Sequence, residues 1–216
     1  VKEQTALQKK EKSERELALA ILLEVEKGEK SHLVLRSVLE KYQYLDKQER
    51  SFLTRLTEGT IERTLELDYI INQYSKTKVQ KMKPVIRNIL RMAVYQIKYM
   101  DNVPDSAACN EAVKLAGKKG FGTLKGFVNG VLRSIVRSQE QISYPDETCP
   151  ENSLSVKYSM PEWIVTMWLK DYGREKTEEI LKSFYLSRPT TSRINENRIS
   201  KEELIKKLKN EHVNVE

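Results

Sequence analysis

The stretch Phe127-Val128-Asn129-Gly130-Val131-Leu132-Arg133, preceded by Leu124 and Lys125 and followed by Ile135 and Arg137, decides the fold class. At the helical repeat, Leu124, Phe127, Val128, Val131, Leu132 and Ile135 fall on one face, while Lys125, Asn129, Arg133 and Arg137 form a single row away from it. A helix with one apolar face needs other elements to cover it, and the opposite row presents cations to solvent. Gly122, Gly126 and Gly130 recur every four residues along the same helix, a spacing that predicts close packing of a neighbouring helix rather than contact with RNA.

Immediately upstream, Gly117-Lys118-Lys119-Gly120-Phe121-Gly122 leads into this helix. Lysines on a flexible turn, beside a helix start whose N–H groups are free, make a candidate phosphate-binding site. The spacing is not that of a nucleotide P-loop and runs backwards against the dinucleotide fingerprint, so nucleotide binding is not indicated. A GxxG clamp of the KH type would be surrounded by strands, and the periodicity predicts none here.

Further upstream, Pro84 suits the first turn of a helix that buries Ile86, Ile89, Leu90, Ala93 and Ile97. Arg87, Arg91, Tyr95 and Lys98 share its other side. They read either as an RNA-facing row with one stacking ring, or as a solvent face with Tyr95 covering the edge of the core. Pro104-Asp105-Ser106 restarts the chain for a helix to about Ala116. Nearer the N-terminus, Ser13 with Glu16 and Asp46 with Glu49 form capping boxes. The first opens a helix ended by Gly28, a second helix runs from Ser31 to Lys41, and the second box opens a long periodic segment through Phe52, Leu56, Ile61, Tyr69 and Ile70. Gly59 within it marks a bend or a close helix crossing.

After Arg137 the pattern breaks into Pro145, Pro150 and small polar residues, a linker. Helical periodicity returns from Pro161 to Gly173 and from Glu175 to about Tyr185, with Trp163 and Trp168 expected in the core. Residues 190–195 and 213–215 read as short strands on either side of a helix capped by Ser200 and Glu203, an incomplete α/β unit.

The net charge of +7 is local: residues 76–137 hold thirteen Lys or Arg against Asp101, Asp105 and Glu111, and the rest sums to a slight negative. Such a surface draws in polyanions. No apolar stretch approaches the roughly twenty residues of a membrane span, which predicts a cytoplasmic protein with no membrane partner. Cys109 and Cys149 stand forty residues apart without a CxxC pair or a neighbouring histidine, so reduced thiols and no metal site are expected. His32 and His212 lie in unrelated segments, leaving no nucleophile and base pair. Cys149 lacks an evident positive neighbour to activate it.

Taken together, residues 46–59, Arg91-Met92-Ala93-Val94-Tyr95-Gln96-Ile97, Val103-Pro104, Asn110-Glu111-Ala112-Val113 and the Phe127 to Arg133 stretch resemble the NusB fold, the all-helical RNA-binding bundle of the transcription antitermination factor. The segments Tyr158-Ser159-Met160-Pro161-Glu162-Trp163-Ile164, Asp171-Tyr172-Gly173 and residues 189–195 are similar to the part that, in the Sun/Fmu (RsmB) type of ribosomal RNA cytosine-5 methyltransferase, joins such a bundle to the catalytic half.

That resemblance implies an all-α, NusB-like bundle over residues 1–139, a helical linker over 140–187, and the start of a small truncated α/β unit over 188–216. The catalytic domain, its S-adenosylmethionine and its cysteines would lie elsewhere, with cysteine attack at cytosine C6 activating C5 toward the sulfonium methyl. Cys109 and Cys149 match neither catalytic position, and the chain itself is expected to be non-catalytic and to hold no cofactor. Structured small-subunit ribosomal RNA is the expected partner, met by Lys118, Lys119, Lys125, Arg133 and Arg137 with help from Arg87, Arg91 and Arg15. In antitermination factors an arginine-rich stretch opens the first helix. Here Lys9, Lys10, Lys12 and Arg15 alternate with Glu11, Glu14 and Glu16. The alternatives are a non-catalytic antitermination-type RNA-binding factor and a helical adaptor that binds only protein.

Overall fold

A computed structural model of the chain describes residues 12–186 and 191–215. Helix α1 (Glu14–Glu26) starts at a complete capping box, in which Ser13 Oγ accepts from the Glu16 N–H at 3.3 Å and Glu16 Oε2 accepts from the Ser13 N–H at 3.1 Å. Both orphan donors are thereby satisfied. Gly28, at φ 107°, turns the chain into α2 (Ser31–Lys41). Asp46 and Glu49 repeat the box for α3 (Lys47–Glu62).

The long periodic segment does not run on as one helix but breaks at Arg63, and α4 (Thr64–Tyr74) begins afresh. Two hydroxyls explain the break. Thr64 Oγ1 donates to the carbonyls of Thr60 and Ile61, both at 2.9 Å, and Ser159 Oγ accepts from the N–H groups of Leu65 at 2.9 Å and Glu66 at 3.4 Å. Donors that a continuous helix would spend on the preceding turn are taken by a residue 94 positions away.

Helix α5 (Pro84–Tyr99) is central, packing on α1, α3 and α4 and on the hairpin of α6 (Asp105–Lys118) and α7 (Lys125–Arg137). Leu17, Ile21, Leu53, Leu56, Leu67, Ile70, Ile86, Ile89, Leu90 and Leu132 fill one continuous core. At Gly59, α3 and α5 cross so closely that an added Cβ would fall inside the Tyr95 ring. Tyr95, 8% exposed, is thus a core residue and not a stacking platform.

Residues 138–149 then run back over the bundle to α8 (Pro150–Lys157) and α9 (Glu162–Ser183), which Gly173 interrupts at φ 74°, ψ 174°. Leu154, Val156, Tyr158, Val165 and Leu181 are buried here, and none belongs to the continuous core of the bundle. Trp163, expected inside, is 70% exposed, because Val165 is the residue that the first half of α9 turns inward.

The described residues from Lys182 onward form a second compact unit. It holds α10 (Lys201–Asn210), whose start is capped by Ser200 Oγ accepting from the Glu203 N–H. The expected α/β unit is not there: no strand occurs among the described residues. Residues 191–195 have no regular structure and lead into a turn in which the Asn197 N–H donates to Asn195 Oδ1. Residues 213–215 are likewise irregular. An extended segment becomes a strand only when a neighbour takes up its N–H and C=O groups, and these two do not pair. Thr190 lies outside the described residues.

Candidate nucleic-acid interface

The turn between α6 and α7 is closed by its own backbone: the Lys119 N–H donates to the Leu115 carbonyl, Gly120 to Gly117 and Phe121 to Ala116. Gly120 sits at φ 86°, a conformation that costs a side chain dearly. Lys118 and Lys119 therefore cluster at the negative end of α6, where cations are favoured. Lys125 stands at the opposite kind of position, the first residue of α7, with no acid in that turn and no side-chain cap. A cation there opposes the helix dipole, a local cost that folding does not require. Its stem lies against Gly117, where a Cβ would collide with Lys125 Cε.

On α7, Val128, Val131, Leu132 and Ile135 are buried, and Lys125, Gly126, Gly130, Arg133 and Arg137 are exposed. The expected neighbour on the glycine row is missing: a Cβ built at Gly122, Gly126 or Gly130 meets nothing within 4 Å. The row is open helix backbone bordered by cations. Lys119, Lys125, Arg133 and Arg137 make no ion pair among the described residues. Arg137 Nε donates along its own helix to the Arg133 carbonyl at 3.2 Å.

The other sequence candidates are engaged in the fold. Arg87 donates through Nε and Nη2 to Glu26 Oε1 at 2.8 and 2.5 Å. Arg91 grips Asp68 with two bonds and reaches Glu26 Oε1 with a third, at 3.3 Å. Arg15 donates to Gln96 Oε1 at 2.7 Å with its guanidinium over the Phe52 ring, and burial pushes its pKa down. Lys118 pairs with Glu16 Oε2 at 2.7 Å while keeping 59% of its side chain exposed. Lys9 and Lys10 lie outside the described residues. Glu26 and Asp68 were the missed signal: Glu26 follows Leu22 by four and Asp68 precedes Ile71 by three, so each acid falls at the edge of an apolar stripe.

The model of the NusB family matches residues 12–137. The chain belongs to the NusB family. Homology to RsmB-type ribosomal RNA methyltransferases extends over most of its length. It is 36% identical over 208 residues to the probable ribosomal RNA small subunit methyltransferase B of Bacillus subtilis (strain 168), covering 96% of this chain and 46% of that protein. The chain thus spans less than half of this relative. A second model, a Methyltr_RsmF/B-like ferredoxin-like domain, matches residues 160–216.

Among solved structures, the chain shares its fold with PH0851, at TM-score 0.65 and 20% identity over 94% of this chain and 45% of that one. It also resembles a chain in the crystal structure of antitermination factors NusB and NusE in complex with dsRNA, at TM-score 0.53 and 23% identity over 58% of this chain and 94% of that one.

Where the NusB family region meets the residues that follow it, the structure shows a site that sequence reading missed. Glu66, 2% exposed, accepts from Lys98 Nζ at 2.8 Å and Tyr144 Oη at 2.6 Å on Oε1, and from Tyr99 Oη at 2.5 Å and Arg63 Nη1 at 3.4 Å on Oε2. Burial and this carboxylate push both phenols far above the ordinary tyrosine range, so they stay protonated donors. A cleft of about 550 Å³ opens beside them, lined among others by Arg63, Tyr99, Tyr144, Lys157, Arg174 and Glu178. Among the described residues, no cluster of His, Cys, Asp and Glu could hold a metal, and no helix is long and apolar enough to cross a membrane.

Proposed function

We propose that this chain is the RNA-docking portion of an S-adenosylmethionine-dependent small-subunit ribosomal RNA (cytosine-C5) methyltransferase. The observation that carries the reading is the exposed side of α7 and its entry turn, where Lys119, Lys125, Arg133 and Arg137 border an uncovered backbone and Lys118 keeps an exposed head. Phosphates of a structured RNA would lie along this row, fixing register and orientation without reading bases. Arg87, Arg91 and Arg15 would serve indirectly, by holding the helices that present it.

Under this reading residues 1–139 dock RNA, 140–187 connect, and 188–216 adjoin the catalytic part of the methyltransferase relatives. Under the same reading S-adenosylmethionine and the methyl transfer belong to the part of the methyltransferase relatives that this chain does not cover. A cytoplasmic location follows from the substrate.

The second reading, a non-catalytic antitermination-type factor, draws support from membership of the NusB family and from the likeness to the NusB and NusE complex with dsRNA. The discriminating experiment measures affinity for a small-subunit ribosomal RNA hairpin, an unrelated hairpin and a boxA-like single strand across a salt series. Preference for the ribosomal hairpin, with log K falling by several units per decade of salt, as roughly five phosphate contacts give, supports docking. Preference for the single strand supports the antitermination reading. Absence of binding at low salt rejects both and leaves a protein-binding adaptor.

A further inference from the structure

The segment after the bundle packs Ile142 on the core and stacks Tyr144 on the Tyr69 ring, and around these contacts lies a specific set of polar ones. Tyr144 reaches the buried Glu66 and also contacts Lys98 Nζ. Next to it, Gln73 Nε2 donates to the Ser143 carbonyl at 3.0 Å while Ser143 Oγ donates back to Gln73 Oε1 at 3.1 Å. Tyr74 Oη donates to the Ser138 carbonyl at 3.4 Å. At the far end of α8, Ser159 caps α4 in place of a residue of α4's own, since Arg63 at the N-cap position does not cap the helix with its side chain. Ser159 holds φ 49° just past the end of α8, where its own N–H donates to the Val156 carbonyl and the Met160 N–H to the Ser155 carbonyl, the left-handed close of a helix that sets the direction of its hydroxyl.

The apolar contribution is separate. Leu154, Val156, Tyr158 and Val165 are buried in a patch that is not continuous with the core of the bundle. A helix of eight residues such as α8 is unstable alone, so its order depends on these attachments.

We propose that residues 138–160 act as a clasp, and that α8 with the start of α9 opens and closes on α4 as one cooperative unit while the bundle stays folded. Closed, the clasp completes the cap of α4, fills the donor set of Glu66 and forms one wall of the 550 Å³ cleft. Open, it returns Tyr144, Ser159 and α8 to water. Glu66 keeps Arg63, Lys98 and Tyr99, which is why the bundle survives the opening. An element whose buried side chains lie outside the continuous core opens locally at lower free energy than that core does.

The clasp is independent of the RNA reading and is tested on the chain without RNA. Hydrogen exchange is followed by mass spectrometry for peptides of α8, α1 and α5 in the native protein and in Tyr144→Phe and Ser159→Gly. The glycine removes the cap hydroxyl and relaxes the backbone. Expected are faster exchange in α8 than in α5 in the native chain, and a further acceleration of α8 by about tenfold in each variant, the scale of one lost bond to a charged or helix-end group. Exchange in α1 and α5 stays unchanged. Equal acceleration across all three helices would show a global effect and overturn the clasp, as would α8 exchange unmoved by both variants. Glu66→Gln is unsuitable, because it leaves Arg63 and Lys98 short of their partner inside the fold.

Discussion

Arg91 holds Asp68 by a two-pronged bond, Nε to Oδ1 at 2.6 Å and Nη2 to Oδ2 at 2.7 Å, with both side chains less than one-fifth exposed. The pair fastens α5 to α4 and, through Glu26, to α1. Arg91→Ala is expected to lower stability by about 1.5–3 kcal/mol, the scale of hydrogen bonds to charged groups that lose their partner. Asp68→Asn should cost somewhat less, because it retains one acceptor. Denaturant unfolding of both variants and of the double variant gives the coupling. Loss of RNA affinity in Arg91→Ala with unchanged stability would instead make Arg91 an RNA contact.

The α7 cations behave in the opposite way. Lys125→Ala, Arg133→Ala and Arg137→Ala remove exposed side chains without ion partners among the described residues, so their unfolding midpoints should stay within about 0.5 kcal/mol of the parent chain. If each meets a phosphate, each substitution lowers the slope of log K against log salt by roughly 0.7–0.9. Titrations at several salt concentrations read this directly. Unchanged slopes in all three would move the RNA site off α7.

The open glycine row gives a second, steric probe of the same face. Gly130 is exposed inside α7 with no atom over it, so Gly130→Ala should raise stability by about 0.5–1 kcal/mol through helix propensity. Gly130→Leu should weaken RNA binding while leaving the salt slope in place, because it obstructs approach without removing charge. Binding unaffected by leucine would show that RNA does not come near the backbone there.

Periodicity alone was enough for most of the bundle. Ser13–Glu16 and Asp46–Glu49 cap the helices they announce, and the apolar stripes of α5 and α7 are the buried ones, because capping and amphipathicity are local codes. Long-range partners were not legible. Thr64 alone does not show that the helix must stop at Arg63, since the second hydroxyl that stops it, the acceptor for the freed N–H groups, belongs to Ser159. Arg87, Arg91 and Lys98 read as an RNA-facing row or a solvent face because Glu26, Asp68 and Glu66, which neutralise them, come from other helices. The short strands read at residues 190–195 and 213–215 failed for a related reason: alternation marks strand propensity, but pairing decides it.

Gly59 is where two helices meet most closely. Gly59→Ala forces its methyl into the Tyr95 ring and should destabilise the chain by about 1–3 kcal/mol, the range for overpacked cores. Tyr95→Leu in the same chain makes room for it, so the double variant should be more stable than the sum of the two single effects predicts. Strict additivity in thermal or denaturant unfolding would mean that the two residues do not share this contact.

Glu16 sets the acid side of the stability profile. Burial pushes its carboxyl up, but the hydrogen bonds from Lys118 and Ser13 and the charges of Lys118 and Lys119 outweigh this and hold it below its ordinary value of 4.5. A carboxylate whose pKa falls on folding contributes stability that is complete above the unfolded pKa and is lost as pH drops through the folded one. Lys118→Met removes the larger cationic partner, so the gap between the folded and unfolded pKa narrows and the acid limb of stability should be shallower than in the parent. The lysine is more than half exposed, which limits the effect to tenths of a kcal/mol, about the scale of a screened surface pair. Urea unfolding across a pH series separates the causes: the difference between variant and parent should be full at pH 7 and shrink steadily as acid protonates Glu16. A difference that does not shrink in acid would assign the effect to packing of the lysine stem instead.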